Sequence, residues 1–149
     1  MIIRNVQVTD LAKLLSLEEQ VFGDCALNAV SMRQQIDLFS EIFFVAEKGA
    51  EIAGFVIGGV SVGKSYGWIL DLVVRSEYRR EGIAAELTEK CIKTLRRFCK
   101  SKILLTVEPD NSARILYNKL GFKDVELDPT YFGVNSPRLI MELNIENGV

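Results

Sequence analysis

Ile69-Leu70-Asp71-Leu72-Val73-Val74, followed by a short polar link and then Arg79-Arg80-Glu81-Gly82-Ile83-Ala84, is the stretch that decides the fold. The first run is apolar apart from one carboxylate and reads as a strand. The second opens a helical pattern that continues to about Lys100. A strand, a glycine-containing turn and a helix start together build an anion site. The first amides of a helix have no intrahelical partner, and the helix dipole favours negative charge there. Gly82 has no Cβ, so an anion can approach the main chain, while Arg79 and Arg80 add donors and charge. The stretch predicts a pyrophosphate-bearing ligand held mainly by backbone.

Outward from this stretch, alternation of apolar residues predicts strands at 2–8, 42–47, 52–60, 66–75, 103–107, 125–127 and 139–145. Helical periodicity predicts helices starting after an N-cap at Thr9 and ending at Gly23, at 29–39, at 82–100 and at 111–120. Ala84, Leu87, Cys91, Leu95 and Phe98 form the apolar stripe of the third helix. The strand-helix-strand order in the middle requires a parallel pair with a right-handed crossover, and the flanking hairpins are antiparallel. The expected fold class is α/β (α+β): a mixed, twisted sheet of about seven strands with helices on both faces, in one domain covering residues 1–149.

Composition narrows the function. The 149 residues are 48% hydrophobic, enough for one domain with a sizeable core. With 18 Lys and Arg against 20 Asp and Glu, the net charge of −2 disfavours general nucleic-acid binding, which depends on phosphate neutralisation. Histidine is absent, which excludes Ser-His-Asp and Cys-His nucleophile systems and histidine metal sites. Three cysteines without CxxC spacing read as free thiols, so no metal is expected. Residues 1–8 lack a secretory signal pattern, and the longest weakly polar run, 52–62, is too short to span a bilayer. The expectation is a cytoplasmic protein without a membrane partner.

One motif misleads. Gly58-Gly59-Val60-Ser61-Val62-Gly63-Lys64-Ser65 matches GxxxxGK[ST], but a phosphate-binding P-loop needs a helix directly after Lys-Ser. Tyr66-Gly67-Trp68-Ile69 continues as a strand, so 58–65 is read as a glycine-rich hairpin turn. A nucleotide-binding protein using Lys64 is kept as a remote alternative.

Downstream lies Ala113-Arg114-Ile115-Leu116-Tyr117-Asn118-Lys119-Leu120-Gly121-Phe122. Paired with the Arg79–Ala84 turn, it resembles the GNAT superfamily of acetyl-CoA-dependent N-acetyltransferases. Arg79, Gly82 and Ala84 match that family's [RQ]xxGx[GA] loop, and the second segment matches its AxxLYxxxGF helix. The resemblance implies an acyltransferase that moves acetyl from acetyl-CoA directly to a primary amine of a small molecule or of a protein or peptide. It also implies that acetyl-pantetheine slots beside Leu72, Val73 and Val74 where their strand splays from 103–107. The Val73 region would then polarise the thioester through a main-chain N–H. Arg79, Arg80, Glu81, Gly82, Ile83, Ala84 and Ala85 would hold the pyrophosphate, and Tyr117 would be the general acid.

A base must accept the amine proton. Asp71 is the best candidate, as a lone carboxylate in an apolar strand, with Glu108 second and a water chain as another route. Two positions depart from the family pattern. Where Asn often stands seven residues before the tyrosine, this chain has Asp110, with Asn111 next: either Asp110 replaces the Asn as helix cap, or the loop is one residue shorter and Asn111 makes the cofactor contact. Where acetyltransferases of ribosomal-protein alanine tend to carry a glutamate, this chain has Thr106, which weighs against a protein N-terminus as acceptor. The acceptor pocket is expected from 22–39 and 128–136, with Tyr131 and Phe132. Glu18, Glu19, Asp24 and Asp37 either attract a cationic amine or form a charged solvent face. A non-catalytic acyl-CoA-binding module on the same fold, and a homodimer, stay open.

Overall fold

The computed structural model describes residues 1–146. Seven strands form one sheet: β1 (Ile2–Asn5), β2 (Phe43–Lys48), β3 (Glu51–Val60), β4 (Tyr66–Val74), β5 (Lys102–Val107), β6 (Lys123–Asp128) and β7 (Arg138–Asn144), in the order β1-β2-β3-β4-β5-β7-β6. All neighbours are antiparallel except β4 and β5. The helices are α1 (Leu11–Phe22), α2 (Ala29–Phe39), α3 (Ile83–Leu95) and α4 (Ala113–Lys119). The mixed sheet expected from the sequence is thus observed.

Two apolar cores lie on opposite faces of the sheet. Leu87, Cys91 and Leu95 of α3, with Tyr117 and Phe122, pack on Val56, Ile69, Leu105 and Met141. Leu14 and Leu17 of α1, with Met32 and Ile36 of α2, pack on Val45, Phe55, Ile57 and Val73. The α3 core is so tight that a Cβ on Gly58 or Gly67 would come within 2.9 or 2.8 Å of Cys91 Sγ or Cys99 Sγ. Cys91 and Cys99 are buried free thiols, whereas Cys25 is exposed.

Several boundaries differ from the sequence reading. Thr9 does not cap α1; it sits inside a short 3-10 turn, Val8–Asp10. There Asp10 accepts from the Gln7 N–H at 2.7 Å and takes a two-pronged ion pair from Arg4 at 2.9 Å. α3 stops at Leu95 rather than Lys100: past Arg96, the Arg97 and Phe98 N–H groups bond three residues back, to Thr94 and Leu95, and tighten the chain out of α geometry. Phe98 therefore leaves the apolar stripe and is exposed. Gly58 and Gly59 lie within β3, only 61–65 form the turn, and β4 begins at Tyr66. No helix follows Lys64, so the P-loop match has no phosphate cradle.

Two irregularities in β4 position the site. It pairs with β5 only over Tyr66, Gly67 and Trp68, against Lys102, Ile103 and Leu104. Beyond that the parallel strands part. Its register with β3 also shifts: Gly58 pairs with Ile69 and Ile57 with Asp71, leaving Leu70 as an extra residue. This bulge changes which face each side chain takes. Ile69 packs toward α3, and after the bulge so do Leu72 and Val74, while Val73 packs toward α1 and α2. Asp71, two residues before Val73, shares its face.

Candidate active site

The parting of β4 from β5 opens a cleft of about 800 Å³. Leu72, Val73, Val74, Arg79, Arg80, Gly82, Ile83, Ala84 and Ala85 line one wall, and Thr106, Glu108, Asn111 and Tyr117 lie across from them. Asp71 and Arg138 complete it. One expected member falls outside. Glu81 is absent from the lining, and its carboxylate pairs with Lys48 at 2.6 Å on the surface.

The loop before α3 has the geometry an anion needs. Arg80 and Gly82 both adopt the left-handed region, with φ of 65° and 80°. For glycine this conformation carries no penalty, and nothing lies within 4 Å of the place a Cβ would take. The first residues of α3, Ile83, Ala84 and Ala85, line the cleft beside Arg79 and Arg80. Such a cradle fits a pyrophosphate.

Backbone direction along β4 corrects one expectation. The Arg75 N–H donates to the Ala53 carbonyl at 2.8 Å, and the Val73 carbonyl oxygen lies against Gly54. Residues 73 and 75 therefore aim their polar groups at β3. Because direction alternates along a strand, the Val73 N–H is turned away from the cleft, and those of Leu72 and Val74 face the gap where β5 has withdrawn.

Tyr117 enters from the α3 and α4 face. Its side chain is buried, edge-on to Phe122, and its hydroxyl makes no hydrogen bond to another protein group among the described residues. Burial first, then the negative charge of Asp71, pushes the phenol up to about 12, against the opposing Arg138. The phenol is thus a proton donor throughout the neutral range. Asn111, not Asp110, supports the start of α4: its Oδ1 accepts from the Ala113 N–H at 2.8 Å, and only Asn111 of the two lines the cleft.

Asp71 enters from the opposite face. The residue as a whole is half-buried, yet its Oδ2 is sealed from solvent without a hydrogen-bond partner. Burial raises its carboxyl well above the ordinary range, and the Glu18 carboxyl beside it raises it further; the Leu72 N–H and the Arg138 charge oppose this. Sequence reasoning left Glu18 among four acidic candidates and missed Arg138. Arg138 is fixed by Thr106, donating from Nε to Oγ1 at 3.1 Å and from Nη2 to the carbonyl at 3.0 Å, and it lies 5.3 Å from the Phe132 ring. No motif marks it, since an arginine opening a strand is ordinary in sequence. Tyr131 and Phe132 pack edge-on against each other, and Phe132 is exposed.

Comparison with known proteins agrees with this geometry. Residues 9–122 match the model of the acetyltransferase (GNAT) family. An N-alpha-acetyltransferase of Sulfurisphaera tokodaii is 25% identical over 93% of this chain and 90% of its own. One of Saccharolobus solfataricus is 30% identical over 66% of each. Among solved structures, Ard1 from Thermoplasma volcanium superposes with a TM-score of 0.86 at 21% identity, covering 96% of both chains, which shows a shared fold. No helix among the described residues is long and apolar enough to cross a membrane. A family match over most of the chain, on a sheet that splays where the family binds its donor, shows that the chain belongs to the GNAT family and is an acetyl-CoA-dependent N-acetyltransferase.

Proposed function

We propose that the protein acetylates the α-amine of a protein or peptide, by direct transfer with no acyl-enzyme. The observation that carries this is the opening between β4 and β5, which brings Tyr117 from one face of the sheet and Asp71 from the other to a single gap. The α-amine is favoured over other amines by the names of the relatives, which outweigh the Thr106 departure.

Acetyl-CoA supplies the activated acetyl thioester. The first amides of α3, with Arg79 and Arg80, hold its pyrophosphate. The amides of Leu72 and Val74, which face the gap, bind its pantetheine arm as a neighbouring strand would, and an amide there stabilises the negative charge that develops on the thioester oxygen. Asp71 accepts a proton from the amine, for which a raised pKa suits it. Tyr117 donates a proton to the departing sulfur. Arg138, anchored by Thr106, sets the electrostatic balance between the two, holding both lower than burial alone would.

Incubation with acetyl-CoA and a panel of peptides with free α-amines, beside blocked peptides and small amines, tests the reading by release of CoA thiol. Release with free α-amines and not with blocked peptides supports it. Release with small amines alone moves the function to a small-molecule acceptor. Tight acetyl-CoA binding with no release from any amine leaves the non-catalytic module.

A further inference from the structure

We infer that Glu18 of α1 and Asp71 of β4 work as one proton-holding carboxyl pair on the acceptor side of the cleft, with Glu18 a positioning residue that acts through Asp71. The inference rests on Asp71 being the base, as proposed above, and adds a second group to it.

Glu18 is 2% exposed, although it lies in a surface helix of a chain with charged residues to spare. Its Oε1 accepts from the Leu27 N–H at 3.2 Å. Its Oε2 has no partner, and neither does Asp71 Oδ2. α1 packs on β4, and the two buried, unpartnered carboxyl oxygens lie on that side of the sheet. Among the described residues, neither carboxyl forms an ion pair. The groups facing Asp71 are Glu18 from α1, Tyr117 from α4 and Arg138 from β7. Arg138 spends two of its donor positions on Thr106.

Arg138 faces Asp71 but is tied to Thr106 and forms no ion pair with either carboxyl; two buried carboxyls so placed repel as anions and favour sharing one proton. The unpartnered oxygens are therefore explained either by that proton or by an arriving ammonium. A bare side-chain role for Glu18, tying the loop at Leu27, would use Oε1 alone and leave the burial of Oε2 without cause. The bulge at Leu70 gives an independent reason. Were the strand regular through Leu70, with Leu70 paired in the ladder, Asp71 would share the face of Ile69 and sit under α3, away from α1.

The chemistry balances. A protonated amine carries the positive charge the pair lacks, and its docking displaces the shared proton to solvent. The nitrogen then loses two protons as its bond to the acetyl carbon forms and the carbon–sulfur bond breaks. One returns to the pair. The other replaces the proton that Tyr117 gives to sulfur. The net products are amide, thiol and one proton.

Carboxyl 13C titration of aspartate-labelled protein tests this without any ligand. Asp71 is expected to titrate well above the usual carboxylate range in the unchanged protein. In Glu18→Gln, which keeps an oxygen for the Leu27 N–H, its midpoint should fall toward that range. The acid limb of kcat/KM for acetyl-CoA with a free-α-amine tetrapeptide should move to lower pH in step. An Asp71 midpoint in the usual range in the unchanged protein overturns the pair even if Glu18→Gln does not fold. An unmoved midpoint in a folded Glu18→Gln overturns it too. The base reading fails separately, by full activity in Asp71→Asn.

Discussion

The Phe122 N–H donates to the Tyr117 carbonyl at 3.0 Å, and the two rings meet edge-on with centroids 5.9 Å apart. One residue thus terminates α4 and fixes the side chain that the helix carries. Gly121, at φ 100°, makes the turn between them. The apolar contact that follows a helix-closing glycine here also orients a phenol at the cleft.

Phe122 is 2% exposed, so Phe122→Ala removes a core ring as well as this support. A loss of about 3–5 kcal/mol is expected in chemical denaturation, as for other buried aromatic truncations. Phe122→Leu should cost less and still lower kcat, because the Tyr117 ring loses its edge contact. An unchanged kcat in a folded Phe122→Leu would detach the packing from the catalytic step.

Tyr117→Phe should lower kcat by about 10²–10⁴-fold, the usual range for a general acid, with acetyl-CoA affinity little changed. Because the phenol is raised to about 12, its ionisation should take no part in the rate profile until pH approaches that value. An alkaline fall at lower pH that disappears in Tyr117→Phe would contradict that assignment.

The pH dependence of stability has a definite sign at Asp71. Its folded pKa lies above its unfolded one, so between the two the native state binds more protons, and stability falls as pH rises. Asp71→Asn removes this penalty. Its melting temperature should exceed that of the unchanged protein at neutral pH, and the gain should vanish as the medium is acidified below the ordinary aspartate range. Calorimetry across that span, showing a gain that grows in acid, would reverse the assignment.

Gly82→Ala places a Cβ on a backbone at φ 80°, in a conformation costing an L-residue about 1–2 kcal/mol. The space there is open, so the fold should survive, but the loop should relax away from its anion-cradling shape. A tenfold or so weaker CoA affinity by calorimetry corresponds to that energy. Equal affinity would move the pyrophosphate elsewhere.

Lys64→Ala is expected to leave acetyl-transfer rates as they are, and ATP with Mg²⁺ should give no binding heat in either protein. Lys64 sits in the turn between β3 and β4, with no helix amides behind it. Saturable ATP binding that is lost on this substitution would restore the nucleotide reading.

Sequence by itself determined the order of elements, the mixed sheet and the donor-side loop at 79–85, because periodicity, glycine placement and motif spacing are local properties of the chain. The same local logic marked Tyr117 and selected Asn111 only by adjacency, leaving its capping bond to be seen. Tertiary structure alone decided the acceptor side. A bulge at Leu70 turned Asp71 to the face of α1, where Glu18, distant in sequence, waits with an unpartnered oxygen. Backbone alternation moved the amide donors from Val73 to its neighbours, and an ion pair with Lys48 holds the Glu81 side chain outside the cleft. Such pairings depend on strand register and on which face a residue takes. A one-residue shift inverts both and leaves no mark in composition or spacing.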